Sequence, residues 1–256
     1  MHFLAAEQLS HYYFSPKMVT CALDNITFRM KEGEFLSLLG PSGCGKTTLL
    51  SILAGLIDPT SGRVEIEGVP PGGLSNSIGY MLQQDYLFPW KTIEENILLG
   101  LKLGARDSES EKRKALELLG RIGLEGVEKQ FPRQLSGGMR QRAALARTLA
   151  VDPKILLLDE PFSALDYQTK LNLEDLVFET LKAYNKTAIL VTHDIGEAIS
   201  MSDRILLLAA RPGRVHKIFD VPDDLRSAMP FDVRSKDSYH TLFQQIWKEM
   251  EMLEQE

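Results

Sequence analysis

The sequence predicts an α/β fold in which a helical block interrupts an α/β core, and three observations carry that prediction. Residues 40–48 read Gly-Pro-Ser-Gly-Cys-Gly-Lys-Thr-Thr, a glycine loop between a hydrophobic run and a stretch of helical periodicity. Strand-length apolar runs return from Ile155 onward, with helical stretches between them. From Thr92 to about Gln141 the pattern is helical only, as expected of an insertion into such a core.

Each element follows from its local pattern. Residues 25–30 alternate apolar and polar, and residues 34–39 form a buried strand that enters the glycine loop. Helical periodicity follows over 48–54. Residues 63–67 alternate again before the turn-rich Gly-Val-Pro-Pro-Gly-Gly at 68–73, and 78–82 form another strand. Helices are predicted over 92–101, 109–122 and 139–150. Strands return at 155–158, 188–192, 204–208 and 215–219. Tyr239, Leu242, Phe243, Ile246, Trp247, Met250 and Leu253 fall on one face of a C-terminal helix, a stripe read as packing.

Composition suits one globular domain. At 256 residues the chain lies at the upper end for a single core, so a core with a subdomain insertion is expected. Hydrophobic content of 44% and charged content of 25% are ordinary. A net charge of −6 argues against nucleic acid as a partner, since duplex binders carry a basic face. Cys21, just ahead of a predicted strand, and Cys44, inside the glycine loop, read as free thiols of a reducing compartment. The start lacks the basic and apolar runs of a secretory signal, and no apolar run is long enough to span a membrane.

The motifs carry the chemistry. Gly40, Pro41, Ser42, Gly43, Cys44, Gly45, Lys46, Thr47 and Thr48 fit G-x-x-x-x-G-K-[ST]. Strand, glycine loop and helix N-terminus in that order form an anion cradle: backbone N–H groups turn toward one phosphate and the helix dipole adds positive charge. Lys46 can reach the β- and γ-phosphates and the Thr47 hydroxyl can ligate Mg²⁺, so the loop predicts nucleoside triphosphate binding. Ile-Leu-Leu-Leu-Asp-Glu at 155–160 is a buried strand ending in two carboxylates. Asp159, at its C-terminal end, is placed to hold Mg²⁺, usually through water. Glu160 projects differently and could accept a proton from an attacking water. In Leu-Ser-Gly-Gly-Met-Arg-Gln-Arg at 135–142, Ser136 is a natural N-cap. Gly137 and Gly138 in the first turn cost helix stability, which a close backbone approach to phosphate would explain.

In order and spacing, residues 40–48, 135–142, 155–160, Ser-Ala-Leu-Asp at 163–166 and Thr-His-Asp at 192–194 resemble the nucleotide-binding subunit of ATP-binding cassette (ABC) transporters. The likeness runs from about Phe3 to Val215, and Leu-Ser-Gly-Gly-x-x-Gln-Arg is specific to this family among phosphate-loop ATPases. It implies a P-loop NTPase (RecA-like) core with an antiparallel β subdomain over 1–91 and 142–220. It also implies an inserted α-helical signature subdomain over 92–141 and a C-terminal helical extension over 221–256. It further implies two ATP molecules sandwiched between two subunits, each capped by the partner's Ser136, Gly137 and Gly138, with Gln141 closing the signature. Gln83 resembles the glutamine that contacts Mg²⁺ and the lytic water, with Gln84 beside it. His193 resembles the switch histidine at the γ-phosphate, and Asp166 the residue that links the two sites. Tyr13 resembles the aromatic that stacks on adenine, with Tyr12 and Phe14 flanking it and the choice among the three left open.

The resemblance thus implies ATP hydrolysis with Mg²⁺, coupled to separate membrane permease subunits, with a second copy or a paralogous subunit completing the dimer. An extracytoplasmic solute-binding protein would act indirectly. The chain would sit in the cytoplasm, peripheral on the inner face of the cell membrane. Phe-Pro-Trp at 88–90, Thr-His-Asp-Ile-Gly-Glu-Ala at 192–198 and Arg-Pro-Gly-Arg-Val at 211–215 resemble importers of the nitrate, sulfonate and taurine type, whereas Val-Pro-Asp-Asp-Leu-Arg at 221–226 departs from them. The apolar stretch after Gln83 (Tyr86, Leu87, Phe88, Pro89, Trp90) is expected to line in part a groove for a membrane-subunit helix.

Overall fold

The computed structural model describes residues 2–73, 77–106, 108–163 and 165–255. In chain order the elements are β1 (Leu4–Phe14), β2 (Val19–Met30), β3 (Phe35–Leu39), α1 (Lys46–Leu53), β4 (Ser61–Ile66) and β5 (Ile78–Met81). Then come α2 (Ile93–Leu103), α3 (Glu109–Arg121), α4 (Gly137–Ala150), β6 (Ile155–Asp159), α5 (Tyr167–Ala183), β7 (Thr187–Val191) and α6 (Ile195–Met201). The chain closes with β8 (Arg204–Ala209), β9 (Arg214–Asp220), α7 (Asp223–Arg226), α8 (Pro230–Val233) and α9 (Asp237–Gln255).

Among the described residues the strands form two sheets. One is three-stranded and antiparallel, ordered β2-β1-β4; the other has the order β5-β6-β7-β3-β8-β9, parallel except for β9. Being covered on both faces, the parallel strands read as apolar runs without polar alternation. β6 sends Leu156 and Leu158 into a core shared with α2, α3 and α4, and Ile155 and Leu157 into a core shared with α1 and the antiparallel sheet. A third core holds α6, α9 and the outer face of β8. Each fully buried Leu or Ile stabilises by about 1.5–3 kcal/mol, so the central strands are fixed from both sides.

Helix starts follow polar caps. Thr92 and Glu95 make a reciprocal capping box for α2, and Ser108, Ser136, Asp166 and Asp194 accept from first-turn amides of α3, α4, α5 and α6. α4 starts at Gly137, two residues before the expected position, and runs unbroken past Gln141.

Three sequence expectations need correction. β1 was not foreseen: register shifts after Ala6, Leu9 and His11, with Gln8 at φ 51°, break the two-residue alternation that would have revealed it. For the same reason β2 begins at Val19, and a left-handed Asn25 (φ 53°) interrupts it, so Cys21 lies inside a strand, opposite Tyr12. Trp247 leaves the packing stripe of α9: it is exposed and stacks on Phe243, while Leu242, Ile246 and Leu253 are buried.

Candidate functional site

The C-terminal ends of β3, β6 and β7 lie side by side, where ligands bind in open parallel sheets. β3 runs into the glycine loop and β6 ends at Asp159. β7 leads directly to His193.

The loop is built to its shape. Gly45 caps α1 at φ 90°, and a Cβ there would lie 2.6 Å from Leu23 Cδ2 and 2.9 Å from the Ala22 carbonyl oxygen. The Lys46 ammonium is buried and donates to the carbonyl oxygens of Gly40 (2.7 Å) and Pro41 (3.0 Å). A cation is therefore held inside the loop before any anion arrives. Burial pushes the Cys44 thiol up, with Lys46 only partly offsetting it.

Behind the loop Asp159 is buried. Burial raises its carboxyl above the usual range, a hydrogen bond from the Thr47 hydroxyl works against the rise, and the neighbouring charge of Glu160 adds to it. A divalent cation would remove this cost, and hydroxyl, carboxylate and amide oxygens on Thr47, Asp159 and Gln83 are the donor type Mg²⁺ prefers. Among the described residues no cluster of three or more His, Cys, Asp or Glu forms an all-protein cage.

Glu160, Gln83 and His193 converge. Gln83 Nε2 donates to Glu160 Oε2 at 3.3 Å, and His193 Nδ1 lies 3.4 Å from Glu160 Oε1. Glu160 adopts a left-handed φ of 48°, uncommon for a residue with a side chain, and its amide donates to the Val191 carbonyl at 2.9 Å. His193 is two-thirds exposed but is flanked by a polar network. Lys170 of α5 contacts Asp194 Oδ2 (2.6 Å) and Glu197 Oε1 (2.5 Å), and the Thr192 hydroxyl donates to Glu197 Oε2 (2.5 Å).

A cavity of about 950 Å³ joins these groups. It is lined by Tyr13, Met18 to Ala22, Ser42 to Thr48, Gln83, Glu160, His193, Arg211 and Pro212. Of the three adjacent aromatics Tyr13 lines it, with its hydroxyl 3.3 Å from Thr48 Oγ1; Tyr12 and Phe14 do not. Gln84 is not among the lining residues either. Sequence reasoning missed Met18 to Ala22, Arg211 and Pro212 as parts of the cavity wall. The first group could have been found from a β1–β2 hairpin pairing Tyr13 with Thr20.

The remaining predicted residues lie off this cavity wall. Ser136 and Gly137 are exposed at the start of α4, where the Ser136 hydroxyl accepts from the Met139 amide. Gln141 is buried, its Nε2 unpartnered among the described residues. Asp166 caps α5 through the Thr169 amide (3.0 Å), which holds its carboxyl below the usual range. In the 163–166 segment, Ala164 lies outside the described residues. Asp85, in the loop after Gln83, is held by α4: Arg140 Nε donates to its carboxylate at 2.9 Å and Arg147 to its carbonyl at 2.8 Å.

No described helix is long and apolar enough to cross a membrane. A family model described as ABC transporter matches residues 23–163. The chain is 61% identical over its whole length to the uncharacterized ABC transporter ATP-binding protein YtlC of Bacillus subtilis strain 168, covering 98% of that protein. It is 44% identical to the aliphatic sulfonates import ATP-binding protein SsuB of Bacillus licheniformis, over 92% of this chain and 89% of that one. Identity is 43% to the taurine import ATP-binding protein TauB of Pelagibacter ubique, over 86% and 83% of the two chains. Among solved structures, the ATP-binding cassette MJ0796, a dimer in a post-hydrolysis state bound to ADP and Pi, superposes with a TM-score of 0.79 at 35% identity. That match covers 86% of this chain and 99% of the other.

Proposed function

The chain belongs to the ABC transporter family as an ATP-binding ATPase, and on that premise we propose that it powers an importer of a small organic sulfonate, taurine or a related oxoanion. The observation that carries the hydrolytic part is the convergence of Lys46, Gln83, Glu160 and His193 on one cavity beside the buried Asp159. The solute class rests on the sulfonate and taurine relatives.

In this reading the glycine loop and Lys46 bind the β- and γ-phosphates, and Tyr13 covers the adenine. Thr47, Asp159 and Gln83 would hold Mg²⁺, whose charge neutralises the phosphate oxygens when bound. Glu160 accepts the proton of the attacking water, which Gln83 orients, and His193 meets the γ-phosphate. Phosphoryl transfer needs positioning and charge more than covalent chemistry, and these side chains provide both.

One chain lacks a cap for its own cavity, because Ser136, Gly137 and Gly138 stand outside it. We assign these residues to the cavity of a second, identical or paralogous subunit, in a two-ATP dimer. Residues 1–256 would form a single domain, with 92–141 as its signature-bearing insertion and 221–256 as its extension. The remaining partners would be permease subunits and, indirectly, a solute-binding protein, with the chain peripheral on the cytoplasmic face of the membrane. The Arg140 and Arg147 bonds to Asp85 tie the Gln83 loop to α4, so movement of Gln83 would shift the surface carrying Trp90.

Glu160→Gln keeps the shape of the site and removes its base. Hydrolysis should fall by about 10²–10⁴ while ATP stays bound and drives dimerisation, seen as a shift in size-exclusion mass. Adding Ser136→Arg should abolish that dimer and spare ATP binding by the monomer; loss of monomer binding would refute the trans arrangement. Uptake of labelled taurine or an alkanesulfonate in a strain deleted for the chain tests the solute.

A further inference from the structure

Among the described residues a lysine and an arginine line the cavity. Lys46 is one; the other, Arg211, has no part in the hydrolytic arrangement above. It opens the turn between β8 and β9, and that turn is hydrogen-bonded to β2 beside the phosphate loop. The Gly213 amide donates to the Ala22 carbonyl at 3.0 Å, and the Gly213 carbonyl accepts from the Asp24 amide at 2.9 Å. A Cβ on Gly213 would lie 2.2 Å from the Cys44 carbonyl oxygen, so the turn and the loop touch backbone to backbone. Arg214 is paired with Asp24, its Nε 2.8 Å from Oδ2. Arg211 is exposed, in a left-handed conformation (φ 60°), and no carboxylate or hydrogen-bond acceptor engages its guanidinium among the described residues.

An unpaired guanidinium on the rim of a site for a polyanion will be drawn to that anion, and its planar fork matches phosphate oxygens. We propose that Arg211 is a second polyphosphate contact of this cavity, making affinity depend on ligand charge. The inference rests on the assignment of the cavity to ATP.

The test is equilibrium binding of ATP, ADP and AMP to wild type, Arg211→Gln, Arg211→Lys and Lys46→Ala at low and high salt. Arg211→Gln should weaken ATP by about two- to fivefold, the size of an exposed charge pair. AMP should be weakened less than ATP, high salt should shrink the difference, and Arg211→Lys should recover part of it. Unchanged ATP affinity, or equal losses for ATP and AMP at both salt concentrations, would overturn the proposal. Lys46→Ala separates the two readings: if it too leaves ATP binding intact, the cavity itself has been misassigned.

Discussion

Lys170→Met removes the one cation among described residues that bridges Asp194 and Glu197, and its cost can be worked from their burial. The Lys170 side chain is 16% exposed, Glu197 6% and Asp194 40%. Burial works against the lysine's charge, but hydrogen bonds to both carboxylates hold its pKa above the ordinary value. Without it Asp194, the more exposed of the two, still accepts from the Gly196 and Glu197 amides, so its share is screened and small. Glu197 is left with the Thr192 hydroxyl as its other partner. Breaking a buried pair by removing one member costs about 3–5 kcal/mol. In a chain of this size that lowers the unfolding midpoint by roughly 10 °C. Adding Glu197→Gln removes the stranded charge and should recover most of the loss, as should Lys170→Arg alone. Thr192 and Asp194 flank His193, so hydrolysis at saturating ATP should fall with Lys170→Met, while KM for ATP changes little. Urea unfolding of the four proteins and steady-state ATPase kinetics make the measurement. If Lys170→Met unfolds within about 1 kcal/mol of wild type, the network is not the support argued here.

Two further perturbations probe other parts of the molecule. Glu174 is fully buried, accepts from Arg234 at 2.6 Å, and is raised by burial from 4.5 to about 7 despite that arginine. Between those values the folded chain binds the proton and the unfolded chain does not, so this residue's contribution falls as pH rises toward 7. Relative to wild type, Glu174→Gln should therefore gain about 3 kcal/mol between pH 4.5 and pH 8, read from thermal unfolding; a pH-independent difference would contradict it. Trp90 is 70% exposed, beside Phe88 at a ring separation of 5.4 Å. Trp90→Asp should leave folding and ATP hydrolysis by the isolated chain within about twofold of wild type but abolish co-purification with the membrane subunits. Retained assembly would place the docking site elsewhere.

What could be read from the sequence alone was what depends on neighbours along the chain. The glycine loop announces itself because cradle, lysine and hydroxyl are contiguous. β3 and β6 announce themselves because strands buried on both faces are unbroken apolar runs. Ser136 as a cap, and the amphipathic C-terminal helix, likewise follow from spacings of a few residues. The tertiary structure decided everything that joins distant segments. β1 was hidden because its bulges erase the alternation, and only its ladder with β2 makes it a strand. Tyr13 was named on resemblance, with Tyr12 and Phe14 left open beside it, and the tertiary structure sets Tyr13 alone of the three on the cavity wall. Arg211 was a feature of a turn until the fold set Gly213 against Cys44, far away along the chain. Lys170, Asp194 and Glu197 are ordinary surface residue types in a linear reading, and burial makes them a network. The physical reason is common to all four: local pattern records only which side of an element is apolar, whereas charge pairing, register and cavity walls depend on which elements the folded chain brings together.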